Sequence, residues 1–301
     1  MNIILFAATV ALAPLQEAPD TVTPRFAWAP GTILEGQVEV ESMQSQGGEV
    51  LPAQNLEVSL TRSISADPRG LLITSQVEGP AGQALPAYVI SEAGDFVEVD
   101  GVEEMVTEMR EQLLAAARAQ NGGVVPPEAR GLAEQMFNRE TIEASVRQEH
   151  EMLVGFWNDR TLDRNAVEVR RMLTQDAITG EILPTEVEIV WRGYTPCVEG
   201  DAEAKCLDLE ISYFPDSDAL ATAFEGVLGA QNQGEIFVTR ALQERIVRLH
   251  VEPENLIPRW IEEHSESEFD VEAEGEIVDL AIQQVETTTF QVRSGLNPLR
   301  P

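Results

Sequence analysis

Residues 33–40 read Ile-Leu-Glu-Gly-Gln-Val-Glu-Val, a stretch in which apolar and polar side chains alternate. A period of two is the pattern of a half-buried β-strand, because successive side chains of a strand point to opposite faces of the sheet. Similar runs follow at residues 56–64, 71–78, 88–91 and 96–99, and clusters of Gly, Pro, Asn or Asp separate them. Residues 19–100 therefore predict an antiparallel β-meander.

The apolar period changes at Val102. Apolar side chains then recur at Val102, Met105, Val106, Met109, Leu113, Leu114 and Ala117. This spacing is the stripe of an amphipathic helix. Pro126-Pro127 favours a second helix start, and Asn138 favours a further one. Residues 101–160 are therefore predicted to form a helical segment of two or three helices.

Strand patterns return at residues 166–174, 186–192 and 207–214, and a short helix is predicted after Pro215-Asp216-Ser217. Residues 236–251 fit a strand in their second half and either type in their first, whereas 257–271 and 277–292 read as long strands. Strands in runs favour an α+β protein over a doubly wound one. We expect a single domain over residues 19–301, in which a second meander at 161–295 completes a curved, half-barrel-like antiparallel sheet. The helical segment is expected to cover its concave face.

The N-terminus carries an uncharged apolar run from Ile3 to Leu15. This run is too short to cross a bilayer, which needs about 20 residues. It fits the apolar region of a secretory signal, although the usual basic residue before it is missing. We predict a signal peptide over residues 1–18 and a periplasmic or secreted protein. The alternative is a buried N-terminal strand.

The only two cysteines, Cys197 and Cys206, flank a polar loop between two strand-like runs. Such a loop brings its ends together, so a disulfide would link a β-hairpin. The alternative is a two-thiol metal site, which would need two further ligands. A disulfide agrees with export, because these bonds persist in oxidising compartments.

The composition argues against several classes of function. With 20 basic and 52 acidic residues the formal charge is −32, which repels nucleic acid and anionic lipid surfaces. The sequence has no nucleophile elbow, phosphate-binding glycine loop, calcium loop or zinc-protease motif. We therefore assign no catalytic residue and no cofactor, and we expect no membrane-spanning segment in the mature chain.

Three histidines are the remaining candidates for metal chemistry. His150 lies among charged residues of a predicted helix, where we expect a solvated surface side chain. His250 and His264 flank the turn at Pro253–Pro258, so a hairpin there would make them near cross-strand partners. Glu262 and Glu266 would then complete a weak metal site. The alternative is a pair of exposed imidazoles.

Acidic residues are concentrated at residues 252–279, which contain 11 Asp or Glu and one basic residue, Arg259. Several of them share one face of the predicted strand by the period of two. That face would bind divalent cations or a basic partner, or it would simply be a solvated outer surface.

Methionine and aromatic side chains are frequent in the helical segment, and methionine suits apolar surfaces that adapt to varied ligands. The predicted ligand groove consists of Met105, Met109, Leu113, Met136, Phe137, Met152, Phe156 and Trp157. The alternative is an ordinary core between helices and sheet.

Three functions are consistent with these features. The first is an exported, non-catalytic protein that binds a hydrophobic small molecule or an envelope protein segment in the groove. The second is an envelope structural or interaction protein that uses its acidic face. The third is an enzyme whose site is assembled from dispersed carboxylates and histidines.

Overall fold

The computed structural model of the protein describes residues 20–78, 83–197, 204–231, 236–273 and 275–294. The predicted leader at residues 1–18 lies outside this range. The strands are β1 Thr21–Val22, β2 Thr32–Gln46, β3 Glu49–Val50, β4 Gln54–Asp67, β5 Gly70–Glu78, β6 Gln83–Ile90, β7 Phe96–Asp100, β8 Leu162–Asp163, β9 Val167–Gln175, β10 Ile182–Pro196, β11 Lys205–Pro215, β12 Ile236–Val251, β13 Pro258–Ala273 and β14 Glu276–Ser294. The helices are α1 Val102–Gln120, α2 Pro127–Met136, α3 Arg139–His150 and α4 Ser217–Gln231.

One antiparallel sheet dominates the fold, as the sequence predicts. Its strand order is β7-β6-β5-β4-β2-β14-β13-β12-β11-β10-β9, with β3 on the side of β2, and it does not close into a barrel. The two meanders join where β2 pairs with β14, in a register that runs from Thr32 opposite Ser294 to Gln46 opposite Leu280. The first and last long strands are thus central neighbours.

The stretch at residues 33–40 shows why this pairing is specific. Leu34 and Val38 are buried, while Glu35 and Gln37 lie on the other face. Gly36 is opposite Phe290 of β14. A Cβ atom on Gly36 would lie 3.0 Å from Phe290 Cε1, so the ring occupies the space that a larger residue would need. An aromatic side chain across from a glycine helps to fix strand register.

The helical segment contains the three predicted starts. Asn138 caps α3, because its Oδ1 accepts from Thr141 N at 2.9 Å and its backbone N–H donates to Thr141 Oγ1 at 3.3 Å. Val106 of α1 and Val146 of α3 belong to the same buried apolar cluster as Leu34 of the sheet. None of the helices that the structure describes has the length and apolar character to span a bilayer.

A π-helical turn, Glu151–Gly155, follows α3 and enters the core. The Phe156 amide donates to Glu151 O, five residues back, at 2.9 Å. The carbonyl that this wider turn bypasses is Met152 O, and it accepts instead from Trp157 Nε1 at 2.7 Å. Leu153, Phe156 and Trp157 are almost completely buried. This wide turn is not readable from apolar spacing, because it needs only one extra residue per turn.

The ambiguous segment 236–251 is strand over its whole length. Its first half contains good helix formers such as Ala241, Leu242 and Gln243, but these residues pair with β13 and Ala241 is buried in the sheet. Tertiary pairing overrides weak local propensity here. α4 packs on this end of the sheet, where the rings of Phe224 and Phe269 stack with centroids 3.9 Å apart.

The predicted disulfide between Cys197 and Cys206 is confirmed, with Cα atoms 4.8 Å apart. It links the end of β10 to the start of β11, and Cys206 is opposite Thr195 in the ladder. The crosslink therefore lies beside an established hairpin register.

Replacing both cysteines by alanine should lower the free energy of unfolding by about 2.7 kcal/mol, the chain-entropy value for a loop of about ten residues. Urea unfolding monitored by circular dichroism measures this loss. A reductant should destabilise the wild type by a similar amount and leave the double variant unchanged. Equal stability of oxidised and reduced wild type, with both thiols shown to be alkylated, would contradict the assignment.

Candidate functional site

A cavity of about 570 Å³ lies between α3 and the sheet, and we call it the central cavity. Its apolar lining comprises Leu60, Leu85, Pro86, Met109, Phe137, Ile142, Met152, Ala177, Ile178, Ile261 and Phe290. Its charged lining comprises Arg62, Glu149, Asp176, Arg245, Glu263 and Glu286. The chamber is therefore amphipathic.

Both ends of the strand order reach this cavity. Leu85 lies on β6, which is next to the edge strand β7. Gln175 ends β9, which is the edge strand on the opposite side of the sheet. α3 also contacts β6 and β7 on one side and β9 on the other. Neighbouring strands of a flat sheet lie about 4.8 Å apart. In a flat sheet, two edges separated by this many strands would be too far apart to contact one helix. The sheet therefore bends strongly.

The predicted groove residues divide into three groups. Met109, Phe137 and Met152 line the central cavity. Met105 packs against the core, Phe156 and Trp157 are buried in the core, and none of these three is among the lining residues. Leu113 is half-buried outside the lining, and the side chain of Met136 is outside the part of the chain that the structure describes. That the groove binds a ligand stays a prediction.

Arg62 of β4 is the most buried charge in the cavity wall, with 3% of its side chain exposed. Its Nη2 donates to Glu149 Oε1 of α3, and its Nε donates to Ser75 Oγ at 3.1 Å. Nη1 is fully enclosed and has no partner among the described residues. The ion pair thus ties the helix to the inner face of the sheet.

A second arginine, Arg245 of β12, forms a bidentate pair with Glu263 of β13. Its Nε donates to Glu263 Oε1 at 2.7 Å and its Nη2 donates to Oε2 at 2.6 Å. The guanidinium lies 5.0 Å from the centre of the Tyr213 ring. A two-bond fork of this kind fixes both side chains in one orientation.

Glu286 of β14 is directly opposite Glu263 in the ladder. It is half-buried, lines the cavity, and makes no hydrogen bond or ion pair within the described ranges. Burial raises the pKa of Glu286, and the negative charge of Glu263 adds to this, against the lowering effect of Arg245. An unpaired carboxylate therefore faces the chamber.

A smaller compartment of about 130 Å³, the second compartment, adjoins the central cavity. The two share Gln148, residues 175–178, Arg245 and Glu263, and the second compartment adds Thr174, Tyr213, Pro215, Gln243, Ser265, Ser267, Ile282 and Gln284. Along β13 and β14 the lining is apolar at Ile261 and Phe290 and charged at Glu263 and Glu286, and it is mixed in the second compartment.

The prediction that His250 and His264 are near cross-strand partners is wrong. The hairpin of β12 and β13 forms, but His250 is opposite Trp260 and His264 is opposite Ile246. Four residues of strand, about 13 Å, separate the two along the sheet. The six-residue connection, residues 252–257, and the register shift beside it place Trp260, rather than His264, beside His250.

The proposed metal helpers do not change this result. Glu266 accepts a bond from Gln283 Nε2 at 2.8 Å, and Glu262 is opposite Arg248. Within the residues described, no three His, Cys, Asp or Glu side chains come together as a metal site. The acidic outer face of β13 is partly paired, because Arg240 Nη2 donates to Glu268 at 2.8 Å.

His150, expected at the surface, is buried with 1% exposure. Its Nε2 donates to Gly94 O at 2.9 Å, and its ring packs against Tyr88 and Phe96. Because α3 ends where the π-helical turn enters the core, its last residue is enclosed. Burial, the largest influence, lowers the pKa of His150 to about 4.

This histidine should make the stability depend on pH. The folded state holds the neutral ring, whereas the unfolded state binds a proton below about pH 6.5, so stability is full above that value and falls as the pH drops towards about 4. We expect a loss of about 2 kcal/mol from His150 between about pH 7.5 and about pH 5. Urea unfolding at both pH values measures it.

His150→Gln should remove that part of the slope, since glutamine does not titrate. His264→Gln, which replaces an exposed histidine, should keep the wild-type slope. The assignment fails if both variants show the same pH dependence.

Removing Glu149 should leave Arg62 buried without its counter-charge. Loss of one partner of a fully buried pair costs about 3–5 kcal/mol. Glu149 is 37% exposed, so water reaches its position, and for Glu149→Ala we expect a smaller loss of about 2 kcal/mol. Denaturant unfolding gives the value.

Replacing both partners by methionine should restore much of this stability, because no unpaired charge then remains. Glu111→Ala, at an exposed position of α1, serves as the control and should change stability by less than about 0.5 kcal/mol. A double variant less stable than Glu149→Ala would show that the ion pair itself is the stabilising element.

No protein-family model matches the chain, and no curated protein matches it. An alignment with lipovitellin, from a structure of its lipid–protein interactions, covers 91% of this chain and 26% of that one, at 11% identity and a TM-score of 0.38. The chain thus spans about a quarter of the lipovitellin length.

An outer membrane channel from Pseudomonas putida F1 aligns over 88% of this chain and 97% of its own, at 6% identity and a TM-score of 0.18. A membrane-associated protein of unknown function from Bacteroides fragilis aligns over 84% and 92%, at 10% identity and a TM-score of 0.15. TM-scores this low do not establish a common fold, so these alignments assign neither a family nor a function to the chain.

Proposed function

We propose that this chain is an exported, non-catalytic binding protein that holds a hydrophobic or amphipathic small molecule in the central cavity. In this proposal the α1–α3 segment covers the concave side of the curved sheet and forms the roof of the binding site. The observation that carries the proposal is the apolar lining of a chamber of about 570 Å³, a volume within the usual range of small-molecule sites, about 300–1,000 Å³.

The side chains of the cavity wall suit ligands of varied structure. Met109 of α1 and Met152 of the π-helical turn both line the chamber. Their unbranched side chains adopt many rotamers and so repack around different molecules. Phe290 and Ile261 contribute the opposite, rigid wall from the sheet.

The disulfide supports the export part of the proposal. Crosslinks of this kind form and persist in the periplasm and outside the cell, and are rare in the reducing cytoplasm. The apolar run at residues 3–15 supplies the matching leader in the sequence. Detection of a shortened mature chain in an exported fraction would support it directly.

Titration with the neutral fluorescent probe N-phenyl-1-naphthylamine tests the ligand site. We expect saturable binding of one probe per chain and competition by dodecanol. Ser145→Trp should weaken binding at least tenfold, which corresponds to about 1.4 kcal/mol, because Ser145 lines the chamber and the new ring would fill it.

Ala144→Trp is the matched control. Ala144 is the neighbouring residue of α3 and lies outside the central cavity lining, so this variant should bind the probe like the wild type. Thermal unfolding of both variants establishes that they are folded. Absence of saturable binding, or equal effects of the two tryptophans, would refute the proposed site.

A further inference from the structure

The charges in the wall of the central cavity do not balance. Two arginines, Arg62 and Arg245, face four carboxylates, Glu149, Asp176, Glu263 and Glu286. Glu149 pairs with Arg62, and Glu263 pairs with Arg245. Both positive charges in the lining are therefore already committed to a partner.

Asp176 is satisfied within its own turn. Its Oδ1 accepts from the amides of Ile178 and Thr179, at 3.2 and 2.7 Å, and from Thr179 Oγ1 at 2.7 Å. Glu286 is different, because it has neither a hydrogen bond nor an ion pair in the described part of the chain. Among the lining carboxylates that the structure describes, it is the one for which neither oxygen forms a hydrogen bond or an ion pair.

The position of Glu286 divides the chamber. On the face of β14 that lines the cavity, Phe290 lies two same-face positions from Glu286, beyond Thr288, and Gln284 is the next residue in the other direction, where the second compartment begins. Same-face neighbours on a strand are about 7 Å apart. A ligand with its tail against Phe290 and Ile261 would thus place its other end beside Glu286.

Arg62 is the feature that would argue for an anionic ligand, since its Nη1 has no hydrogen-bond partner among the residues that the structure describes. That atom is fully enclosed by protein, so a molecule in the chamber does not reach it without moving β4 or α3. An incoming anion would also have to displace Glu149 from Arg62 and would meet the repulsion of Glu263 and Glu286. A cation meets neither obstacle.

We infer that the central cavity selects amphiphiles with a cationic head group, such as long-chain alkylammonium ions, and that the Glu286 carboxylate binds that head group. The inference rests on the proposed function, because it assigns the head group of the same ligand. An ammonium donates charge-assisted hydrogen bonds to a carboxylate, and here it also relieves the repulsion between Glu286 and Glu263.

Competition against N-phenyl-1-naphthylamine at neutral pH and physiological salt tests the inference with three twelve-carbon probes: dodecylamine, dodecanol and dodecanoate. We expect dodecylamine to bind at least tenfold more tightly than dodecanoate, with dodecanol between them. Glu286→Gln should weaken dodecylamine binding about tenfold and leave dodecanol binding within twofold, because glutamine keeps the size of the side chain and removes its charge.

Glu266→Gln is the matched control. It removes one negative charge from the exposed, outer face of β13 and leaves the chamber unchanged, so dodecylamine should bind it like the wild type. This comparison separates Glu286 from general attraction to a chain of net charge −32. Thermal unfolding of each variant establishes that it is folded.

The outcomes separate this inference from the proposal on which it rests. If dodecanol binds but dodecanoate equals or exceeds dodecylamine, or if Glu286→Gln leaves dodecylamine binding unchanged, the head-group assignment is overturned and the apolar site stands. If the dye does not bind saturably, the apolar site is refuted together with its head-group preference. If the dye binds but none of the three probes displaces it, the head-group assignment alone is overturned.

Discussion

Pairing of β2 with β14 is the constraint on which the remaining structure depends. These strands lie near opposite ends of the sequence, yet they form the centre of the sheet and unite two meanders into one surface. Each meander alone would expose an edge there. The contact of the Phe290 ring with Gly36 fixes the register of β2 and β14 by shape. The position of every other strand along the strand direction is set relative to these two. The position of the charged inner residues follows from the same alignment.

The inner face carries its charges where a sheet would ordinarily be apolar. Buried ion pairs contribute little net stability, and well-packed apolar residues often replace them without loss. Arg62 with Glu149 and Arg245 with Glu263 are therefore poorly explained as stabilising devices alone. The amphiphile that we propose as the ligand would need both a polar and an apolar wall, and Glu286 and Phe290 supply them on a single strand.

Local patterns predicted much of the fold. The period of two marks most strands, Asn138 marks the start of α3, and the spacing of the cysteines indicates their hairpin. The features that were not predicted from the sequence depend on tertiary context. Pairing with the sheet determines that residues 236–251 form a strand over their whole length. The length of the connection between β12 and β13 determines which residue lies beside His250. Burial of the end of α3 determines the environment of His150. None of these is encoded in the nearest residues alone.

The site itself was only partly readable. Of the predicted groove residues, Met109, Phe137 and Met152 line the central cavity, whereas Phe156 and Trp157 lie in the core outside its lining. Ligand binding by this groove stays a prediction. Arg62 was missed although it interrupts an apolar alternation between Leu60 and Ile64, a signal of a charge on an inward face. Glu286 gave a weaker signal, since its surroundings on β14 are already polar.

The π-helical turn has a consequence for how this segment can vary in length. Each residue of a regular helix advances the side-chain direction by about 100°, so one extra residue within Glu151–Gly155 resets the direction of everything after it. Loss of a single residue there would restore an ordinary helix and swing the rings of Phe156 and Trp157 out of alignment with their core partners. Insertions and deletions are therefore confined to the loops on either side of this segment.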